Sequence, residues 1–222
     1  LVVGYLIISM LAGSLLYGQA VRGRPVPVDQ IRVDLGNIKT KIGNRPDGIS
    51  WVRTPPTPGA VGGDNIGWFS FDRSYYFQPI LENSPYFAPT EFSLHYGAEN
   101  KSSYSSGSFN GRNKGTIWSP TFNVGSNSKC EVSFQYSFEL AGPSRASAGV
   151  DRLSFAYSFD GKLWIPTTMV KQSHRQAWRI FTSSISCSGR PALWLKWEVD
   201  TVDGNYTGGR GWNLQALSIK YS

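Results

Sequence analysis

Only two cysteines, two histidines and two methionines occur among the 222 residues, and that scarcity removes whole classes of chemistry. His95 and His174 have no second nitrogen or sulfur ligand at metal spacing. Neither HExxH nor Cys-x-x-Cys occurs, so a zinc centre lacks its donors. Gly-x-Ser-x-Gly is absent as well, which leaves no nucleophile elbow, and each histidine reads as an ordinary surface or hydrogen-bonded residue. Charged residues are 17% of the chain, and no strand face carries two closely spaced carboxylates. Glu131, Glu139 and Glu198 read as solvent-facing or salt-bridged, whereas a glycosidase needs a carboxyl pair held at fixed separation across a sugar. The expectation is a protein that is not an enzyme.

A compact basic stripe is missing too, although the net charge is +7. Residues 21–60 hold seven Lys/Arg, Arg22 and Arg24 among them, against three Asp; the rest of the excess is scattered. Without basic residues interleaved with aromatics on one face, nucleic acid is not an expected partner. The early cluster suits anionic lipid or an acidic partner surface.

Charge is wholly absent from residues 1–20, LVVGYLIISMLAGSLLYGQA. Twenty helical residues span about 30 Å, the thickness of a bilayer's hydrocarbon core. Two readings stand. Gly18-Gln19-Ala20 is a small-x-small site at which a signal peptide would be cut before Val21. Alternatively the segment is an uncleaved membrane anchor, with Gly4, Gly13 and Ser14 for close packing and Tyr5 and Tyr17 near the interfaces. Arg22 and Arg24 follow the segment, which under the positive-inside rule argues against an outside domain. Residues 21–63 then form a Pro/Gly-rich basic linker or arm, in which Ile31, Val33 and Leu35 belong to a possible short edge strand.

What the chain has in quantity is aromatic residues (14%) and glycine (24 residues), the composition of short strands joined by tight turns. Arg152 to Ser158 alternates strictly: Leu153, Phe155, Tyr157 and, beyond it, Phe159 share one face. Asp160-Gly161 predicts a type I′ turn, with Leu163 and Trp164 opening the return strand. Cys130–Leu140 alternates with Val132, Phe134, Tyr136 and Phe138 inward. Gly115–Phe122 is broken by Pro120 and reads as an edge strand or a bulge. Gly211–Tyr221 alternates with a slip near Ala216, which suggests a bulge. Segments 67–72, 91–97, 177–182 and 192–199 complete about eight to ten strands, with no soluble helix. Such a set predicts an all-β, two-sheet antiparallel sandwich over residues 64–222.

The motif order resembles a known family. Phe92-Ser-Leu-His-Tyr-Gly97, a Tyr104/Gly107 loop and Gly115-Thr-Ile-Trp-Ser-Pro120 are similar to the entry signature of bacterial MAM-like jelly-roll domains. Val132-Ser-Phe-Gln-Tyr136, Ser158-Phe-Asp-Gly-Lys-Leu-Trp164, Trp194-Leu-Lys-Trp197 and the Asp200–Trp212 loop continue it. Asn213 and Leu214-Gln215 stand where that family often has an Asp pair. The resemblance covers residues 66–221. It implies a concanavalin-like jelly roll outside the cytoplasm, as in accessory domains of immune-inhibitor-A-type secreted proteins. It does not imply protease activity.

Several residues invite a site. Cys130 and Cys187 each precede a core strand and can pair in an oxidising compartment, or remain as half-buried thiols. Asp200, Asp203 and Asn205 offer hard oxygens for calcium, although turn chemistry explains the same residues. No other cofactor is expected. Trp118, Trp164, Trp178 and Trp212 are candidate sugar platforms. Tyr75, Tyr76, Phe77, Tyr86 and Phe87, with Arg22 and Arg24, are candidate partner contacts. The leading expectation is a membrane-anchored periplasmic or extracellular interaction module. It would serve as a structural accessory subunit of a larger membrane complex, touching lipid through residues 1–20. The alternative is a secreted or surface carbohydrate-binding, lectin-like module.

Overall fold

Period-two alternation governs the long strands of this protein, and the two faces it creates decide the architecture. The computed structural model describes residues 30–58, 65–72, 92–98, 113–125, 129–139, 152–167, 175–200 and 211–222. In chain order the short early strands are β1 (Gln30–Val33), β2 (Thr40–Ile42), β3 (Trp51–Arg53) and β4 (Thr57–Pro58). Then come β5 (Asn65–Asp72), β6 (Phe92–Ala98), β7 (Lys114–Trp118), β8 (Phe122–Asn123) and β9 (Lys129–Glu139). The last five are β10 (Arg152–Ser158), β11 (Ile165–Thr167), β12 (Arg175–Ser186), β13 (Ala192–Asp200) and β14 (Gly211–Tyr221).

The first sheet runs β12-β9-β14-β6-β5-β4, with β1 also on β14; the second runs β11-β10-β13-β7-β3-β2, with β8 also on β13. From β6 onward, the eight strands other than β8 change sheet at every step except the β10–β11 hairpin, in the order of two Greek keys that makes a jelly roll. The pairing is antiparallel except between β2 and β3, which run parallel. The expected all-β sandwich is therefore present. Among the described residues no helix is long and apolar enough to cross a membrane, and residues 1–20 lie outside them.

Inward residues from both sheets meet in an aromatic core. Phe134 lies 5.2 Å from Phe155, 5.5 Å from Trp197 and 5.0 Å from Phe181, ring centre to ring centre. Trp68 lies 5.3 Å from Tyr96 and 5.4 Å from Trp212. Rings of this kind each remove about 150–250 Å² from water, on the order of 4–6 kcal/mol before the entropy of ordering them. Cys130 and Cys187 are fully buried beside this core and joined as a disulfide, their Cα atoms 5.9 Å apart.

Three local expectations need correction. Residues 21–63 are not a separate arm from Gln30 onward: β1 and β4 extend the first sheet, and β2 and β3 extend the second. Leu35 is fully buried in the core and Trp51 stacks on Trp197 at 6.0 Å, so the packed unit begins well before residue 64. Pro120 does not make β7 an edge, because β7 lies between β13 and β3. Ser119 bridges the break: its amide donates to the Leu195 carbonyl (2.9 Å), while its hydroxyl accepts from the Leu195 amide (2.9 Å). The 158–164 turn is not type I′, since only Gly161 has positive φ (68°). Ser158 Oγ accepts from the Gly161 amide, Asp160 Oδ1 accepts from the Lys162 and Leu163 amides, and pairing resumes at Ile165. Side-chain oxygens thus replace the backbone twist that a two-residue turn would need.

The slip in β14 is a bulge. Its register against β9 shifts between Gln215 and Ser218, and Ala216 adopts φ 50°. There β14 changes its other neighbour, pairing with β6 over Trp212–Leu214 and with β1 over Leu217–Lys220.

Candidate functional site

Tryptophan divides the molecule's surfaces. Trp51, Trp68, Trp197 and Trp212 belong to the core, so Trp212 is withdrawn as a sugar platform. Trp178 lies on β12 at the edge of the first sheet, beside a register shift between Gln176 and Arg179. Trp118, Trp164 and Trp194 belong instead to the outer side of the second sheet.

The register builds that outer face row by row. Directly opposed residues share a face, so Ser158 aligns with Trp194, and Ala156 with Lys196 and Trp118. Further along, Ser154 aligns with Glu198 and Thr116, and Arg152 with Asp200 and Lys114. Trp164, two residues before Pro166 in the row of Ala156, falls on the same side. β13 is the spine: Leu193, Leu195, Trp197 and Val199 point in and are fully buried, while Trp194, Lys196 and Glu198 are half-buried on the outside.

Two loops bound one end of this face. A methyl group at Gly161 would sit 3.6 Å from the Trp194 ring and 3.8 Å from Pro46, so loops 43–50 and 159–164 converge over Trp194. The first loop is tied down by the Thr121 amide, which donates to the Gly48 carbonyl at 3.1 Å. Asp47 also holds it, pairing with Lys41 and accepting from the Ile49 and Ser50 amides. The Lys41 hydrogen bond, followed by those two amides, holds the Asp47 carboxyl well below the usual range. The loop tips carry Ile49, 85% exposed, and Leu163, 75% exposed.

Charge on the face is partly committed. Lys114 Nζ lies 3.2 Å from Glu198 Oε1, and the Thr116 hydroxyl donates to Glu198 Oε2 at 3.2 Å. Lys196 Nζ instead lies over the Trp164 ring, 5.0 Å from its centre. Burial lowers the pKa of Lys196; Glu198 opposes that shift and Lys114 adds to it.

The opposite outer face, on the first sheet, is chemically different. Ser93, His95, Ser137, Asn213 and Gln215 sit there and are all buried. His95 Nδ1 lies 3.0 Å from Asn213 Oδ1, and burial lowers its pKa to about 4, against the hydrogen bond to Asn213. His95 is therefore a buried, hydrogen-bonded histidine.

The remaining candidates separate. Asp200 is buried at the end of β13 in the row of Arg152 and Lys114, while Asp203 and Asn205 lie outside the described residues. Among the described residues no cluster of three metal-ligating side chains occurs. Tyr75, Tyr76, Phe77, Tyr86, Phe87, Arg22, Arg24 and His174 also lie outside them. Glu131 and Glu139 are eight positions apart on β9, about 26 Å at the rise of a strand, and Glu198 is in the other sheet. That spacing rules Glu131 and Glu139 out as a glycosidase pair.

Trp194 and Lys196 were not singled out as site residues by sequence reasoning. The signal was available in the strict alternation of Leu193 to Asp200, which turns one tryptophan inward and the other outward.

No family model and no curated protein matches this chain. Among solved structures, it is similar to the K1 cleaved adhesin domain of Lys-gingipain from Porphyromonas gingivalis W83. That match has 11% identity, a TM-score of 0.46, and covers 87% of this chain and 98% of that one. It is also similar to the C-terminal CBM6 of LamC, a marine laminarinase from Zobellia galactanivorans. There the identity is 11%, the TM-score 0.38, and the coverage 86% of this chain and 98% of that one. At these values the ligand of this chain has to be argued from its own residues.

Proposed function

We propose that this protein is a non-enzymatic, extracytoplasmic binding module that takes glycan on the outer face of its second sheet. The observation that carries the reading is the outward placement of Trp118, Trp164 and Trp194 around Lys196. Tryptophan is costly to leave near water, and four others in this chain are in the core. Trp164 and Trp194 are half-buried and Trp118 is buried in the row of Lys196. Half-buried indole rings beside hydroxyl and charged groups provide what a pyranose ring needs, an apolar plate with polar groups at its margin. The buried disulfide suits a chain that folds in an oxidising compartment, and the motif order resembling MAM-like domains agrees with that location.

Glycan-array binding of the wild-type chain, repeated with Trp164→Ala and Trp194→Ala, tests the proposal. Saturable binding should weaken at least tenfold in both variants with the thermal transition preserved. Unchanged binding in both, or no binding by the wild type, would remove the glycan reading.

A second reading is favoured by the loop tips. Ile49 and Leu163 project apolar surface from two well-anchored loops, as a protein-partner contact would. Under that reading the chain is a structural accessory subunit of a membrane complex, anchored through residues 1–20. Co-purification from native membranes that is lost on Ile49→Asp with Leu163→Asp would support it.

A further inference from the structure

Resting on the glycan reading, we infer that the face selects sugars carrying an anionic substituent, a uronate carboxylate or a sulfate ester. Neutral sugars are recognised largely through hydroxyls, which need acceptors as well as donors. On this face Glu198 and the two loop aspartates already accept hydrogen bonds from the protein itself. Both oxygens of Glu198 are taken, one by Lys114 and the other by Thr116. Asp47 is held by Lys41 and two backbone amides, and Asp160 by the Lys162 and Leu163 amides. The group left in the centre is a cation. Lys196 stands in the row of Ala156 and Trp118, its ammonium against Trp164. A pyranose lying along the tryptophans would bring an anionic substituent to this ammonium.

Arg152 adds a second exposed cation two rows away, about 13 Å along the strand. An extended charged polymer lying along the strand would meet both cations. The half-buried state of Lys196 gives such a partner an advantage. Its ammonium has lost part of its hydration in the free protein, an effect that Glu198 opposes and Lys114 reinforces, and a bound anion would add to the favourable charge around it.

Affinity electrophoresis or calorimetry on the full chain tests this with three probes: polygalacturonate, a sulfated galactan and an unsubstituted β-glucan. Binding to one or both acidic polymers, at least tenfold tighter than to the β-glucan, is expected, and the preferred polymer identifies carboxylate or sulfate. Lys196→Gln should lower that affinity at least tenfold. Lys220→Gln, an exposed lysine on the other sheet, should leave it unchanged. If the β-glucan binds as tightly and Lys196→Gln changes nothing, anion selection falls while the glycan reading survives. If Lys220→Gln costs as much as Lys196→Gln, the attraction belongs to net charge and the inference falls. If no polymer of either kind binds, both readings fall together.

Discussion

The two outer faces of this sandwich come from strands of the same kind and end with opposite character. On the first sheet the outward positions at the β6 side hold Ser93, His95, Ser137, Asn213 and Gln215, all buried and small or polar, while Glu131, Ser133, Gln135 and Ser218 further along are half-buried and Lys220 is exposed. On the second sheet the outward positions of β7, β10 and β13 mix exposed Lys114 and Arg152 and half-buried Ser154, Trp194, Lys196 and Glu198 with buried Thr116, Trp118, Ala156, Ser158 and Asp200. A buried polar face tolerates little, because each donor or acceptor left without a partner costs about 1–3 kcal/mol. A half-exposed face of rings and charges contributes less to folding and more to recognition. Substitutions on the first sheet should therefore strike stability, and substitutions on the second should strike binding.

The sharpest break of that contrast is Gly211→Ala, at the start of β14. Gly211 has φ 77°, and a methyl group there would lie 1.9 Å from the Tyr96 carbonyl oxygen. Chemical denaturation should show a loss of about 4 kcal/mol or more, or no folded protein at all. Next comes the disulfide, which ties β9 to the end of β12 in the same sheet. Cys130→Ser with Cys187→Ser opens a link across 57 residues and should cost about 4 kcal/mol on the chain-entropy model.

A pH titration follows in size. His95 is held neutral, with its pKa in the fold lowered to about 4 from 6.5. The unfolded chain therefore binds the extra proton between those values, and stability falls as pH drops from about 6.5 towards 4. The loss should be on the order of 3 kcal/mol, read from denaturation midpoints. A His95→Gln variant should lose this pH dependence. The smallest effect on stability should come from Trp164→Ala, on the second sheet. A loss of no more than about 1 kcal/mol is expected, together with an at least tenfold loss of glycan affinity. A large destabilisation there would erase the difference between the faces.

Legibility in the sequence followed strand length. β9, β10, β13 and β14 could be read because seven or more residues alternate, and the β14 slip appeared as a bulge at Ala216. β2, β3 and β4 have three residues or fewer, too few to show a period, and prolines around them imitate a linker. Nothing local revealed that Trp51 reaches Trp197, a contact formed between distant parts of the chain. The hairpin turn was misread because Asp160-Gly161 fits a two-residue turn, and only the Ser158 and Asp160 oxygens define the longer one. For the site, Trp118 and Trp164 were legible as aromatic residues near polar ones. Their convergence with Trp194 and Lys196 depends on the register of β13 against β10 and β7, which pairs residues some 40 and 80 positions apart.

The most direct test of the glycan face is an indole N–H titration by NMR, with all eight tryptophans assigned and a binding oligosaccharide added stepwise. The account predicts shifts for Trp118, Trp164 and Trp194, with Trp51, Trp68, Trp197 and Trp212 unmoved. Shifts confined to the core tryptophans or to Trp178, or none at saturating ligand, would contradict it.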